Sequence, residues 1–209
     1  MPATSDMPDR NAPAVDLTRV AVVGTSGSGK STLAARLAGS LGHPHIELDE
    51  IHWGPDWTTD PPDVFRTKVE SALAAPEWIC AGNYGGVRDL VWSRATTLVW
   101  IDLPFGLTFG RACWRTLRRT VTREPVCGEN RERWLGFLDP EWIPYWVIRT
   151  WRQNRRKLRE AIASGEYAPL DVVVLRSRAE VARFGESQSS SARAASTSAR
   201  SARSDAAST

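Results

Sequence analysis

The eight residues Gly24-Thr25-Ser26-Gly27-Ser28-Gly29-Lys30-Ser31 constrain this chain more than any other feature. They match Gly-x-x-x-x-Gly-Lys-Ser/Thr at every fixed position, and their surroundings complete the pattern. Before them, Arg19-Val20-Ala21-Val22-Val23 is a β-branched run of the kind that makes a buried strand. After them, Leu33, Leu37 and Leu41 recur at helical spacing until Gly42 ends the run. In such a strand–loop–helix the glycines let backbone N–H groups converge on phosphates, and the helix adds its positive end at the same point. Gly24 to Thr32 are therefore expected to hold the phosphates of ATP. Lys30 should reach the β- and γ-phosphates, and the Ser31 hydroxyl should ligate Mg²⁺.

Further strand candidates at 45–48, 78–81, 96–101 and 171–175 alternate with helical patterns at 61–75, 107–122 and 142–163. Asp60 is the expected cap of the helix at 61–75, and Ser177 the cap of a last short helix. The alternation predicts an α/β fold, a parallel sheet flanked by helices, over residues 18–184. Ligands of such sheets sit beyond the carboxyl ends of the strands, where Gly24, Asp49, Gly82-Asn83-Tyr84 and Asp102 fall. The Pro-containing leader at 1–17 and the Ser/Ala/Arg tail at 185–209 read as disordered. With 42% hydrophobic and 24% charged residues the composition is that of an ordinary globular chain. No apolar run is long enough to span a bilayer, and the opening residues lack a secretory pattern. Cys80, Cys113 and Cys127 are too scattered for a disulfide framework or a metal site. A cytoplasmic location without a membrane partner is the expectation.

Two carboxylates stand near the expected metal. Asp102 follows a β run and could hold Mg²⁺ directly or through water, or merely open a turn. Asp49 could orient an acceptor hydroxyl, take its proton or hold a metal water; otherwise it is a cap or a surface charge. Asn83 and Tyr84, in a glycine-rich segment, are candidate acceptor contacts. Trp53 and Trp57 are candidates for the acceptor pocket wall, whereas Trp78, Trp100 and Trp114 read as core. Arg111, Arg115 and Arg119 form a stripe on one helix face, with Arg118 beside it. Their guanidinium forks suit phosphate oxygens, and a mobile arginine segment would exclude water, with 122–136 as the moving part.

The net charge of +3 hides two acid-free basic stretches: five arginines in 105–123, and five arginines with a lysine in 149–159. Both suit a polyanion. No DNA-binding motif accompanies them, so nucleic acid is a less favoured partner than a small-molecule acceptor.

Several motifs in combination resemble adenylate-kinase-related proteins, and more narrowly those labelled DNA topology modulation proteins. They are the loop through Ala34, Leu48-Asp49 followed by Trp53 and Trp57, Trp78-Ile79 leading into Gly82-Asn83-Tyr84, Trp100-Ile101-Asp102-Leu103-Pro104, and the arginine helix. The resemblance implies a nucleoside-monophosphate-kinase-like P-loop NTPase fold with an Arg-rich helical lid. It implies ATP and Mg²⁺ as ligands, and phosphoryl transfer; the expected acceptor of the γ-phosphoryl group is a nucleotide, nucleoside or other hydroxylated metabolite. Lys30, Arg111 and Arg115 would handle phosphates. The alternatives are a nucleotide-dependent regulator or DNA-associated ATP-binding protein, and a simple ATPase with water as the acceptor. Where adenylate kinases carry Asp-Gly-aromatic-Pro-Arg, this chain has Ala81-Gly82-Asn83-Tyr84. The resemblance therefore leaves the acceptor open.

Overall fold

Five strands make the centre of the molecule: β1 (Arg19–Gly24), β2 (His45–Glu47), β3 (Trp78–Ala81), β4 (Thr97–Ile101) and β5 (Asp171–Leu175). The computed structural model describes residues 15–128, 130, 143–167 and 169–188, with only the backbone at 143–146. The strands lie in the order β2-β3-β1-β4-β5, and every pairing is parallel. Helices α1 (Lys30–Leu41), α2 (Leu48–His52), α3 (Pro62–Ala72), α4 (Arg88–Arg94), α5 (Phe105–Thr122) and α6 (Ile143–Ala163) follow in chain order. A seventh helix, α7, spans 178–188. The expected α/β fold, a parallel sheet flanked by helices, is present.

β3 and β4 are buried at every residue, and β1 at all but Arg19. That is why these strands read as unbroken apolar runs. One face of the sheet packs Ala21, Val23, Leu98 and Trp100 against Phe65 and Val69 of α3, Trp92 of α4 and Leu158 of α6. The other packs Val20, Val22, Val99 and Ile101 against Leu33 and Leu37 of α1, with Val181 and Phe184 of α7 behind. The chain winds outward from β1 to β2, returns to β3, then crosses β1 to reach β4. The reversal of direction opens a crevice at the carboxyl ends of the central strands.

Several local expectations are corrected. Asp60 does not cap α3; it pairs with Lys68 Nζ at 2.5 Å, and Pro61 takes the cap position without a side-chain bond. Two successive prolines set the entry φ, and Pro62 has no N–H to be capped. Trp114 is not core but 68% exposed. Thr108, Ala112 and Thr116 carry the buried face of α5 at four-residue steps, and a residue two further along a helix points the opposite way. β2 stops at Glu47, which places Asp49 in the first turn of α2.

Ser177 does cap the last helix: its Oγ accepts the Glu180 N–H at 3.1 Å, while the Glu180 carboxylate reaches back to accept the Arg176 N–H at 2.7 Å. That helix runs to 188, past the expected boundary at 184. Residues 1–14 and 189–209 of the expected leader and tail, and 129 and 131–136 of the expected moving part, lie outside the described residues.

Candidate phosphate-binding and transfer site

β1 ends at Gly24, and the chain turns through 25–29 into α1 with Ser28 N–H bonded to Thr25 O at 3.0 Å. Gly27 and Gly29 have φ of 80° and 97°, conformations that a side chain disfavours. At Gly27 there is also no room, since an added Cβ would lie 2.2 Å from the Thr108 carbonyl oxygen of α5. The αL residue Gly29 caps α1 without a side-chain bond, and the first turn contains no acid. Its N–H groups are therefore left without an anionic competitor, the requirement for a phosphate site.

Helix α5 lies against this loop. Arg111 donates to Ser28 O at 3.4 Å and Arg115 to Ser26 Oγ at 3.0 Å. Arg119 is further along the same face, within electrostatic reach of Cys127. Two of the three arginines expected to grip phosphates thus touch the loop itself.

The acceptor-side candidates gather beside Lys30. Its Nζ is 3.9 Å from Asp49 Oδ2, and Tyr84 donates its hydroxyl to Asp49 Oδ1 at 2.8 Å. Burial, with the Asp49 charge behind it, pushes the Tyr84 hydroxyl well above its ordinary range, so Tyr84 remains a donor. His52 packs edge-on to Trp53 and Phe65 and tilted on Tyr84, with centroids 4.6–5.0 Å apart. Trp53 meets Trp57 edge-on at 5.6 Å. Burial depresses the His52 imidazole against the opposing pull of Asp49 and Asp60. Asn83 Nδ2 donates to Gly24 O at 2.9 Å and braces the loop.

Asp102 departs from the expected metal role. Its carboxylate is buried, and the Arg155 guanidinium holds both oxygens, Nη2 to Oδ2 at 2.7 Å, with Arg159 3.7 Å away. A carboxylate neutralised by a fork-shaped partner is a weak ligand for a cation.

Glu47 is the carboxylate that sequence reasoning missed. Both of its oxygens are buried without a hydrogen bond of acceptable geometry. Burial raises its pKa, while the neighbouring Ser31 hydroxyl and Lys30 charge pull it down. Among the described residues no group of three or more His, Cys, Asp or Glu could hold a metal alone. Mg²⁺ does not need one, since it keeps waters and phosphate oxygens around one or two protein ligands. Ser31 and the orphaned Glu47 fit that requirement. Arg88 was missed as well; its guanidinium stacks on Trp92 at 5.2 Å and lines a small cavity with Asn83, Tyr84 and Leu158.

No protein-family model matches the chain. Over 120 residues the chain is 30% identical to the uncharacterized protein YqaC of Bacillus subtilis (strain 168), a span of 56% of this chain and 67% of that protein. The chain belongs to the YqaC family. Among solved structures it is similar to shikimate kinase from Acinetobacter baumannii, with TM-score 0.49, 18% identity, and coverage of 83% of this chain and 91% of that one. It is also similar to a gluconokinase from Sinorhizobium meliloti 1021, with TM-score 0.45, 18% identity, and coverage of 82% and 95%. The fold and site of this YqaC-family chain rest on its own strand order and loop geometry, not on these likenesses. No helix among the described residues is long and apolar enough to cross a membrane.

Proposed function

We propose that this YqaC-family chain is a P-loop kinase that moves the γ-phosphoryl group of Mg·ATP to a hydroxyl of a small acceptor. The observation that carries this reading is the pairing of Lys30 with Asp49 at 3.9 Å, at the N-terminus of α1, where no side chain caps the helix. One group there suits phosphate and the other suits an acceptor proton.

The loop N–H groups and Lys30 bind the phosphate oxygens. Arg111 and Arg115, anchored on the loop, neutralise charge as it builds on the γ-phosphoryl oxygens. Asp49, oriented by Tyr84, accepts the hydrogen bond of the acceptor hydroxyl and takes its proton as the new O–P bond forms. The bond from the γ-phosphorus to the bridging oxygen breaks and ADP leaves. Ser31 and Glu47 would hold Mg²⁺, which when bound screens the phosphate charges and orders their oxygens. Trp53 and Trp57 wall the acceptor side. Asp102 and Arg155 fix α6 to the end of β4.

Calorimetry with Mg·ATP tests the nucleotide part. Micromolar to millimolar binding is expected, weakened at least about tenfold by Lys30→Ala. No uptake at millimolar nucleotide would refute the site. Radiolabelled ATP with a panel of nucleosides, nucleotides and hydroxylated metabolites tests transfer. Steady ADP release without any acceptor, unchanged by the panel, would make the protein an ATPase instead.

A further inference from the structure

Asn130 connects two loops that lie far apart in sequence. It is only 5% exposed, and all of its side-chain polarity is used. Nδ2 donates to Gly54 O at 2.8 Å and to Cys127 O at 3.0 Å, while Oδ1 accepts the Trp57 N–H at 3.0 Å. Its own carbonyl accepts the Val126 N–H at 2.8 Å, closing a turn after α5. The loop it reaches is itself closed by a Trp53–Thr59 bridge and by Gly54 N–H to Thr58 O at 2.8 Å.

Backbone conformation points the same way. Asp56 and Trp57 in one loop have φ of 53° and 58°, and Arg123 and Cys127 in the other have 51° and 46°. None is glycine. Such conformations persist where surrounding contacts over-determine them, and they gather at ligand clamps. The turn also brings the Cys127 thiol within electrostatic reach of Asp49, Glu50, Glu47 and Arg119.

We propose that Asn130 is a positioning residue for the acceptor side: by bonding Gly54, Trp57 and Cys127 together it fixes the tryptophan loop and seats the turn after α5 beside Asp49. The proposal rests on the reading of Asp49 as the acceptor-side carboxylate.

Cys127 supplies a reporter that needs no acceptor. Its thiol is half-buried, and burial together with the nearby carboxylates pushes it up to about 11. Trapping by dithiodipyridine on the full chain, with Cys127→Ser to assign its share of the signal, should be about tenfold faster in Asn130→Ala. Asn130→Asp should be faster still at pH 8. An isosteric carboxylate keeps the Trp57 bond, but it loses both donors and faces two carbonyl oxygens. Burial among acceptors raises the pKa of that carboxyl, and its neutral form regains one O–H donor. The trapping rate of Asn130→Asp, divided by that of wild type, should therefore fall toward one between pH 8 and pH 5. Taking the ratio at each pH removes the pH dependence that the two proteins share.

Mg·ATP affinity of both variants should stay within about twofold of wild type. An Asn130→Asp variant indistinguishable from wild type would reduce Asn130 to a space filler and overturn the proposal. So would an Asn130→Ala variant that loses nucleotide binding together with thiol protection, which marks general unpacking. Failure of the wild type to bind Mg·ATP is a separate result, and it refutes the phosphate site rather than the connection made by Asn130.

Discussion

The proposed phosphate site is built on one loop of consecutive residues, Gly24 to Ser31, and Arg111 and Arg115, which touch it, come from a single helix. Around Asp49 the contacts come from further afield: Tyr84 lies 35 residues away, and Asn130 lies 73 residues from Trp57. The proposed phosphate side is backbone geometry fixed by glycines, whereas the proposed acceptor side is side-chain geometry fixed by tertiary packing. Substitutions on the first side should therefore be harsh and general, and those on the second milder and selective for the acceptor.

The harshest should be Gly27→Ala. A methyl group there meets the Thr108 carbonyl oxygen at 2.2 Å in a backbone conformation that Ala disfavours. Loss of about 3 kcal/mol of stability is expected, read as a drop in melting temperature, together with lost Mg·ATP binding. Tolerance of Ala would mean that α5 does not press on the loop. Next comes Arg115→Ala, expected to lower kcat about 100-fold while nucleotide affinity changes only a few-fold, as for a group that acts on transition-state charge. Equal losses in both would make Arg115 a ground-state clamp.

Glu47→Gln lies on the border between the two sides. Mg·ATP affinity should weaken about tenfold at limiting magnesium and recover at high magnesium. Its effect on the metal-free protein has the opposite sign. Burial raises the Glu47 pKa, so the folded chain binds this proton more tightly than the unfolded chain. The resulting stabilisation is complete below the ordinary carboxylate range and is lost as pH rises through the folded value. The metal-free Gln variant should therefore melt higher than wild type at neutral pH and no differently below about pH 4. A lower melting point at neutral pH would show that Glu47 is paired rather than orphaned.

The same division explains what could be read from the chain alone. Strand–loop–helix chemistry is local, so Gly24 to Ser31 and the α5 arginines were legible from spacing. The central strands were legible because burial on both faces leaves them uniformly apolar. Glu47 was not, because a carboxylate at a strand end looks solvated until packing shows both oxygens buried beside Ser31 and Lys30. Asp102 occupies a suitable strand end, but only the tertiary approach of α6 reveals that Arg155 already holds it. Asn130 carries no local signal that points to the tryptophan loop, since its bonds to Trp57 and Gly54 run to residues more than 70 positions away. Trp114 misled because its size suggests core, while the small residues Thr108, Ala112 and Thr116 set the buried face of α5.

The mildest change should be Tyr84→Phe. It removes one hydroxyl and keeps the ring that packs on His52 and Phe65 at 4.6 and 5.4 Å, so the fold should be spared. What disappears is the 2.8 Å bond to Asp49, a half-exposed carboxylate, for which about 1 kcal/mol is appropriate after solvent screening. With any acceptor found by the panel, kcat/KM should fall about fivefold while Mg·ATP affinity by calorimetry stays level. The freed Asp49 turns toward Lys30 and solvent, so the loss should appear in orientation of the acceptor rather than in phosphate binding. A matching loss of nucleotide affinity would mean that Tyr84 and Asp49 support Lys30 itself, and the boundary between the two sides would have to move past Asp49.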